Sequence, residues 1–399
     1  MLIFVGMIHV AFVSHGFPEG GIARTTLDLV RYCRKAAPEL RFTIFSDRRV
    51  LKKELPRDLL FLTVVPTRHP VKEAIRMGVH ILVQCSRLEK ELQQAREAGI
   101  RIIYAEHGEP FQERYAIIDR RMGGRRRLLL KRLWWTLFLK RRYADGRRAL
   151  EMATRRTRTA YEQADAFVVL CEAYRETLID NGIEAERRYV IPNTEPPVKH
   201  PSLNKQQRIL YCGRLTDYDK KPARLLRIWA QAERELPEYW LDIVGDGPER
   251  KRLQRLAAKL DLRRCRFQGW RKNVAPWYQK ADILCLTSQT EAWSLSLTEA
   301  QANGVIPIAF ACSEGVKEVL SPDGVNGFLV PPGDEEAFVR TLVKVARMEE
   351  AEKQALRENL LRKAATYDPA SAGRKWVDLF RQLSPESEAT ASGAADETL

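Results

Sequence analysis

Glu291 and Glu299 lie eight positions apart in the stretch ADILCLTSQTEAWSLSLTEAQANGVIPIAF, residues 281–310. Bare spacing carries little weight, because glutamates eight apart often arise by chance. The frame around them carries more. An apolar run at 282–286 reads as a buried strand, Glu291 follows its end, a short helix bears Glu299 in its first turn, and a strand returns at 306–309. A carboxylate so placed can accept both hydroxyls of a ribose. The N–H groups at the helix start, from Ser294 through Ser296, Leu297 and Thr298, can receive an anion. Glu291 would then face the hydroxyls of a sugar joined to that anion.

The cations that could complete such a site lie upstream in RILYCGRLTDYDKKPARLLRIW. A strand at 208–212 runs into Gly213 and Arg214, and Lys220 and Lys221 precede a helix. An arginine fork and a lysine point charge at a strand end can hold a diphosphate. Taken alone, a solvated basic turn is the better explanation of these three. Near the N-terminus, HGFPEGGIART places Gly16, Gly20 and Gly21 before a helix, where backbone could approach a phosphate. A tight strand–helix turn explains that loop as well. The spacing is not G-x-G-x-x-G and no acidic ribose ligand follows, so a dinucleotide site is not expected. The six histidines show no metal-ligand spacing.

The elements that must position these residues form two similar series. Strand patterns at 8–14, 41–46, 59–65, 80–84, 101–105 and 166–170 alternate with helical ones, including 25–36 and 87–98. Residues 191–205, IPNTEPPVKHPSLNK, carry four prolines and mark a linker. The alternation restarts at 208–212, 240–244, 266–268, 282–286, 306–309 and 327–330, followed by helix over 334–365 and again over 369–383. The expected architecture is α/β: two doubly wound parallel-sheet domains with a ligand cleft between them. The expected bounds are 1–195, a linker at 196–205, 206–366, a terminal helix at 367–384 returning to the first domain, and a tail at 385–399 too poor in apolar residues to fold.

The chain has 399 residues and a formal net charge of +15. Residues 113–158 hold 16 Lys and Arg against four acids, which leaves +3 for the remainder. The core of that segment, RRRLLLKRLWWTLFLKRR, interleaves Leu, Phe, Trp134 and Trp135 with basic clusters and is too short to span a bilayer. It suits an anionic membrane surface, although a helix docked on its own domain remains open. No nucleic-acid module surrounds it. The apolar stretch 1–13 lacks preceding basic residues and a small-residue cleavage site, so it reads as a first strand, with Met1 or Met7 as the start. Seven cysteines without a C-x-x-C pair fit a reducing, cytoplasmic compartment.

With these motifs in order, the chain resembles the retaining glycosyltransferases of the GT-B fold, family 4. The resemblance rests on Gly20-Gly21, His107-Gly108, Ile191-Pro192-Asn193, Gly213-Arg214-Leu215, Val244-Gly245-Asp246-Gly247, the two glutamates and GVNGFLVP at 324–331. It looks most like bacterial members that build lipopolysaccharide, capsule or other surface glycans. The resemblance implies transfer of a sugar from a UDP- or GDP-linked donor to a lipid-linked or glycan acceptor, with no cofactor and no metal. It assigns Arg214 and Lys220 to the donor diphosphate, Glu299 to the ribose, Glu291 to the donor sugar and His107 to the reaction centre. Gly20 and Gly21 would close over the phosphates, and Trp270 and Arg271 would meet the nucleobase. The lysine is displaced by one position from its usual place, so either Lys220 or Lys221 could reach the phosphate. Ala292 replaces a usual glycine, with Trp293 beside it, and a bulkier loop here would alter which sugar fits. A GT-B nucleotide-sugar epimerase and a basic scaffold without catalysis are the alternatives.

Overall fold

The computed structural model describes residues 7–85, 87–89, 91–112, 147–184 and 186–384. The chain forms two compact units, one from residues up to Ile191 together with those from Arg374 onward, the other from Pro192 to Gly373. Each is built on a parallel sheet.

In the first unit the strands are β1 (Ile8–Val13), β2 (Leu40–Ser46), β3 (Thr63–Pro66), β4 (Ile81–Cys85), β5 (Arg101–Ala105), β6 (Ala166–Val169) and β7 (Arg188–Val190), in spatial order β3-β2-β1-β4-β5-β6-β7. Helices cover a parallel sheet on both faces, so its strands read as unbroken apolar runs. All six residues of β1 are buried, as are all five of β4. The terminal helix Pro369–Gln382 closes this unit. Its Phe380 meets Phe12 at 6.4 Å and Phe42 at 6.2 Å, both edge-on, and Arg381 pairs with Glu39.

In the second unit the strands are β8 (Arg208–Cys212), β9 (Trp240–Val244), β10 (Cys265–Gly269), β11 (Ile283–Leu286), β12 (Ile306–Phe310) and β13 (Phe328–Val330), in order β10-β9-β8-β11-β12-β13. The direction of strand addition reverses between β8 and β11, and a doubly wound sheet opens a ligand crevice at that point. Trp229 of the helix Pro222–Glu235 is fully buried against one face of the sheet, and Phe310 and Phe338 meet edge-on at 4.9 Å. At the opposite end from the crevice, Asp282 binds Arg357 at 2.7 Å, Lys353 at 2.9 Å and the Tyr239 hydroxyl at 2.7 Å. This buried cluster ties the helix Glu350–Ala365 to the start of β11.

Several expectations are corrected. The helical pattern at 87–98 forms a helix only over Leu92–Glu97, because Glu91 takes a left-handed backbone (φ 70°) that cannot continue one. The single stretch 334–365 is two helices, Glu335–Ala346 and Glu350–Ala365, and the Glu349 N–H is capped by Glu352 at 3.1 Å. Strand β7 was not anticipated. Residues 113–146 of the basic segment, with Trp134 and Trp135, lie outside the described residues, as do 1–6 and the tail 385–399. The end of the basic segment belongs to the helix Arg147–Gln163, which buries Ala153, Ala160 and Tyr161 and leaves Arg155, Arg156 and Arg158 exposed.

Candidate active site

The site in the second unit is assembled from loops at the C-terminal ends of four strands. The loop after β9 needs glycine, because its backbone crosses closely over the loop after β8. Gly245, after β9, has φ 136°, and a Cβ on it would lie 1.9 Å from the Gly213 carbonyl oxygen. A Cβ on Gly247 would lie 2.5 Å from the Leu215 carbonyl oxygen. Leu215 N donates to Asp246 O at 2.9 Å, which fixes the loop carrying Arg214. The Arg214 side chain is 74% exposed, and its Nη2 donates to Asp219 Oδ2 at 3.1 Å. The Thr216 hydroxyl donates to the other oxygen of Asp219. An exposed cation is thus held in one orientation by an acid that is itself anchored.

The two candidate lysines separate. Lys220 Nζ lies 2.6 Å from Glu291 Oε1, and the Ser288 hydroxyl donates to the same oxygen at 2.8 Å. Lys221 caps the helix Pro222–Glu235 in a left-handed conformation (φ 45°), with Nζ 3.7 Å from Asp217. The loop after β11 is bound to the loop after β8 through Gln289 N to Asp219 O at 2.7 Å. The switch point between β8 and β11 therefore gathers Arg214, Lys220 and Glu291.

Glu299 is the fifth residue of the helix Leu295–Ala302, one turn further in than the sequence suggests. Ser294 starts that helix with φ 63°, and its hydroxyl bonds that of Ser296 at 3.0 Å. Leu297 is buried, and Thr298 bonds Glu195 at 3.2 Å, so these two side chains hold the helix. The buried Tyr278 hydroxyl donates toward Ser296 O at 3.4 Å, and burial beside Cys212 and Glu299 pushes its pKa well above the ordinary tyrosine range. Trp293 turns inward from the loop. It is buried and packs edge-on to Tyr367 at 5.1 Å.

Trp270 follows β10 with 67% of its surface exposed, and the Arg271 guanidinium lies 5.6 Å from the Trp277 ring. In the first unit, Gly20 (φ 90°) and Gly21 open the helix Gly21–Ala36 after β1. His107 follows β5, beside Gly108, whose N–H donates to Glu106 at 2.8 Å. Sequence reasoning did not single out Asp219, Ser288 or Tyr278. Asp219 stands between Arg214 and Lys220 in TDYDKK, which was the available signal.

Comparison with known proteins bears on this arrangement. Residues 193–363 match the family Glycosyl transferases group 1. That match contains Arg214, Lys220, Glu291 and Glu299. A group 1 match is accompanied by relatives of the same kind. The chain is 29% identical over 232 residues to the amylovoran biosynthesis glycosyltransferase AmsD of Erwinia amylovora, covering 55% of this chain and 63% of that protein. It is 30% identical over 183 residues to an α-1,4-N-acetyl-D-galactosaminyltransferase of Campylobacter jejuni named for a glycan-PP-undecaprenol, covering 46% and 50%. The matched part thus spans between half and two thirds of these curated relatives. The crystal structure of Anabaena HepE in complex with UDP superposes with a TM-score of 0.69 at 16% identity, over 94% of this chain and 100% of that one. The fold is that of the GT-B glycosyltransferases.

Proposed function

We propose that this protein is a glycosyltransferase that takes a sugar from a UDP- or GDP-linked donor and places it on a lipid-linked or glycan acceptor in surface polysaccharide synthesis. The observation that carries the reading is the convergence of Arg214, Lys220 and Glu291 at the β8/β11 switch point, beside the helix that bears Glu299. The group 1 match over these residues supports it.

In this reading Arg214 and Lys220 bind the donor diphosphate and stabilise the charge that grows on it as the glycosidic bond breaks. Glu299 accepts hydroxyls of the ribose, and Glu291 orients the sugar. The acceptor oxygen bonds to the anomeric carbon on the face that the phosphate leaves. Its proton passes to the departing phosphate oxygen, so configuration is retained. Orientation supplies much of the rate, and two side-chain cations do the work that a metal does elsewhere. His107, Gly20 and Gly21 keep the roles that the family resemblance gives them, as do Trp270 and Arg271 toward the base. The 113–158 segment would hold the protein on the inner face of a membrane. Among the described residues no helix is long and apolar enough to cross one.

The test is a mass-spectrometric screen of nucleotide sugars, each incubated with wild type and Glu299→Ala. A donor consumed by wild type and spared by the variant supports the reading, and transfer to polyprenol-diphosphate glycans identifies the acceptor. Isomerisation of a donor without acceptor would replace it with epimerase chemistry.

A further inference from the structure

Outside 113–158 the net charge is small, yet the second unit contains another strongly basic stretch. Residues 250–272 hold ten Lys and Arg and one acid, Asp261. Much of this charge lies on the helix Arg250–Lys259, which turns Leu253 and Ala257 into the core. Lys251, Arg255 and Lys259 follow at four-residue spacing on its exposed side. They form a row about 12 Å long at the helical rise. Like charges at that spacing destabilise a helix. The first turn adds Arg250, Lys251 and Arg252 with no acid, against the helix dipole.

Four of the neighbouring cations are paired with acids. Arg250 pairs with Asp246 at 2.8 Å, and Arg252 with Glu249 and with Asp217 at 2.9 Å. Arg264 binds Glu233, and Arg263 pairs with Asp261 at 3.2 Å. Lys251, Arg255 and Lys259 make no ion pair among the described residues. The helix therefore carries three outward charges that cost it stability and that nothing within the unit compensates.

We infer that the outward face of Arg250–Lys259 is a docking surface for an anionic lipid bilayer. A straight, convex row of cations without a groove matches a plane of headgroups. The helix itself carries no aromatic side chain on which single-stranded nucleic acid could stack. The inference is independent of the transfer reaction, since none of the three residues belongs to the site, and it concerns a stretch of sequence other than 113–158.

The test is co-sedimentation of the full chain with phosphatidylglycerol vesicles at low salt. Wild type is compared with Lys251→Glu/Arg255→Glu/Lys259→Glu and with a control of equal charge change, Arg340→Glu/Lys344→Glu/Arg347→Glu. The row variant should bind roughly 100-fold more weakly, from about fivefold for each of the three juxtamembrane charges. Its melting temperature should stay near the wild-type value, because one exposed row of like charges replaces another. Equal loss in the control would show that only net charge matters, and unchanged vesicle binding in the row variant would also overturn the inference. Loss of affinity for a duplex oligonucleotide with vesicle affinity retained would reassign the face to nucleic acid.

Discussion

Lys220 Nζ lies 2.6 Å from Glu291 Oε1, and this ion pair links the loops that follow β8 and β11. Both partners are largely covered, with 20% and 7% of their side chains exposed. Such a pair is weak evidence for stability, yet breaking it from one side is costly because the remaining charge stays buried. Ser288 lessens that cost by keeping a hydrogen bond to Glu291. In the proposed reaction the pair holds the lysine where a diphosphate can take it over.

Lys220→Met should therefore lower turnover about 100-fold, as loss of a placed charge donor does. Lys221→Asn, which tolerates the left-handed backbone at that position, should leave turnover near the wild-type value. Thermal melts should show Lys220→Met/Glu291→Gln more stable than Lys220→Met alone. Full activity in Lys220→Met would remove this lysine from the mechanism.

The two glutamates should separate by ligand. Glu299→Ala should weaken binding of free UDP or GDP by about 1.5–3 kcal/mol, the scale of a hydrogen bond to a charged group. Glu291→Ala should bind the free nucleotide like wild type and fail in transfer. Calorimetry with the nucleotide alone distinguishes them. Equal affinity in wild type and Glu299→Ala would refute the ribose assignment.

Gly245 should tolerate no side chain. A Cβ there would overlap the Gly213 carbonyl oxygen, which is backbone and cannot swing away. Gly245→Ala should lower stability by at least about 1–3 kcal/mol, as overpacking does, and should also lower nucleotide affinity by displacing Arg214. Gly16→Ala meets open space at a left-handed position, so its cost should be the smaller backbone term alone. Urea unfolding of both variants checks the order.

Much of this was legible in the sequence, for local reasons. Strands such as β1 and β11 are buried on both faces, so their apolar runs stand out, and the glutamates could be placed by the strand–loop–helix frame around them. What could not be read depends on distant segments meeting. Asp219 is an unremarkable acid until the loop after β11 meets it, and Trp293 reads as added bulk in its loop until Tyr367, 74 positions later, packs against it. Strand β7 is hidden by charge, since its buried first residue is Arg188, whose guanidinium donates to Ile183 O at 2.7 Å. The row on Arg250–Lys259 was concealed by a net charge that averaged over it.

The last prediction concerns pH and a residue away from the site. Lys205 Nζ donates to the carbonyls of Asn303 at 2.7 Å, Tyr278 at 3.0 Å and Gln279 at 3.4 Å. Burial, reinforced by the nearby Arg357 charge and opposed by Asp282, pulls its pKa down to about 7. An unfolded lysine titrates near ~10.4. Between those values the unfolded chain holds a proton that the folded chain lacks, so stability rises with pH across that window. Below pH 7 the fold carries the whole penalty of a buried ammonium. Lys205→Met removes this titration and leaves the chain's other groups in place. The stability of wild type relative to Lys205→Met, measured by urea unfolding, should therefore increase steadily from pH 7 to pH 9.5 and be flat below pH 6. A difference that stays constant from pH 6 to pH 9.5 would show that Lys205 keeps its proton in the folded state, held by the three carbonyls.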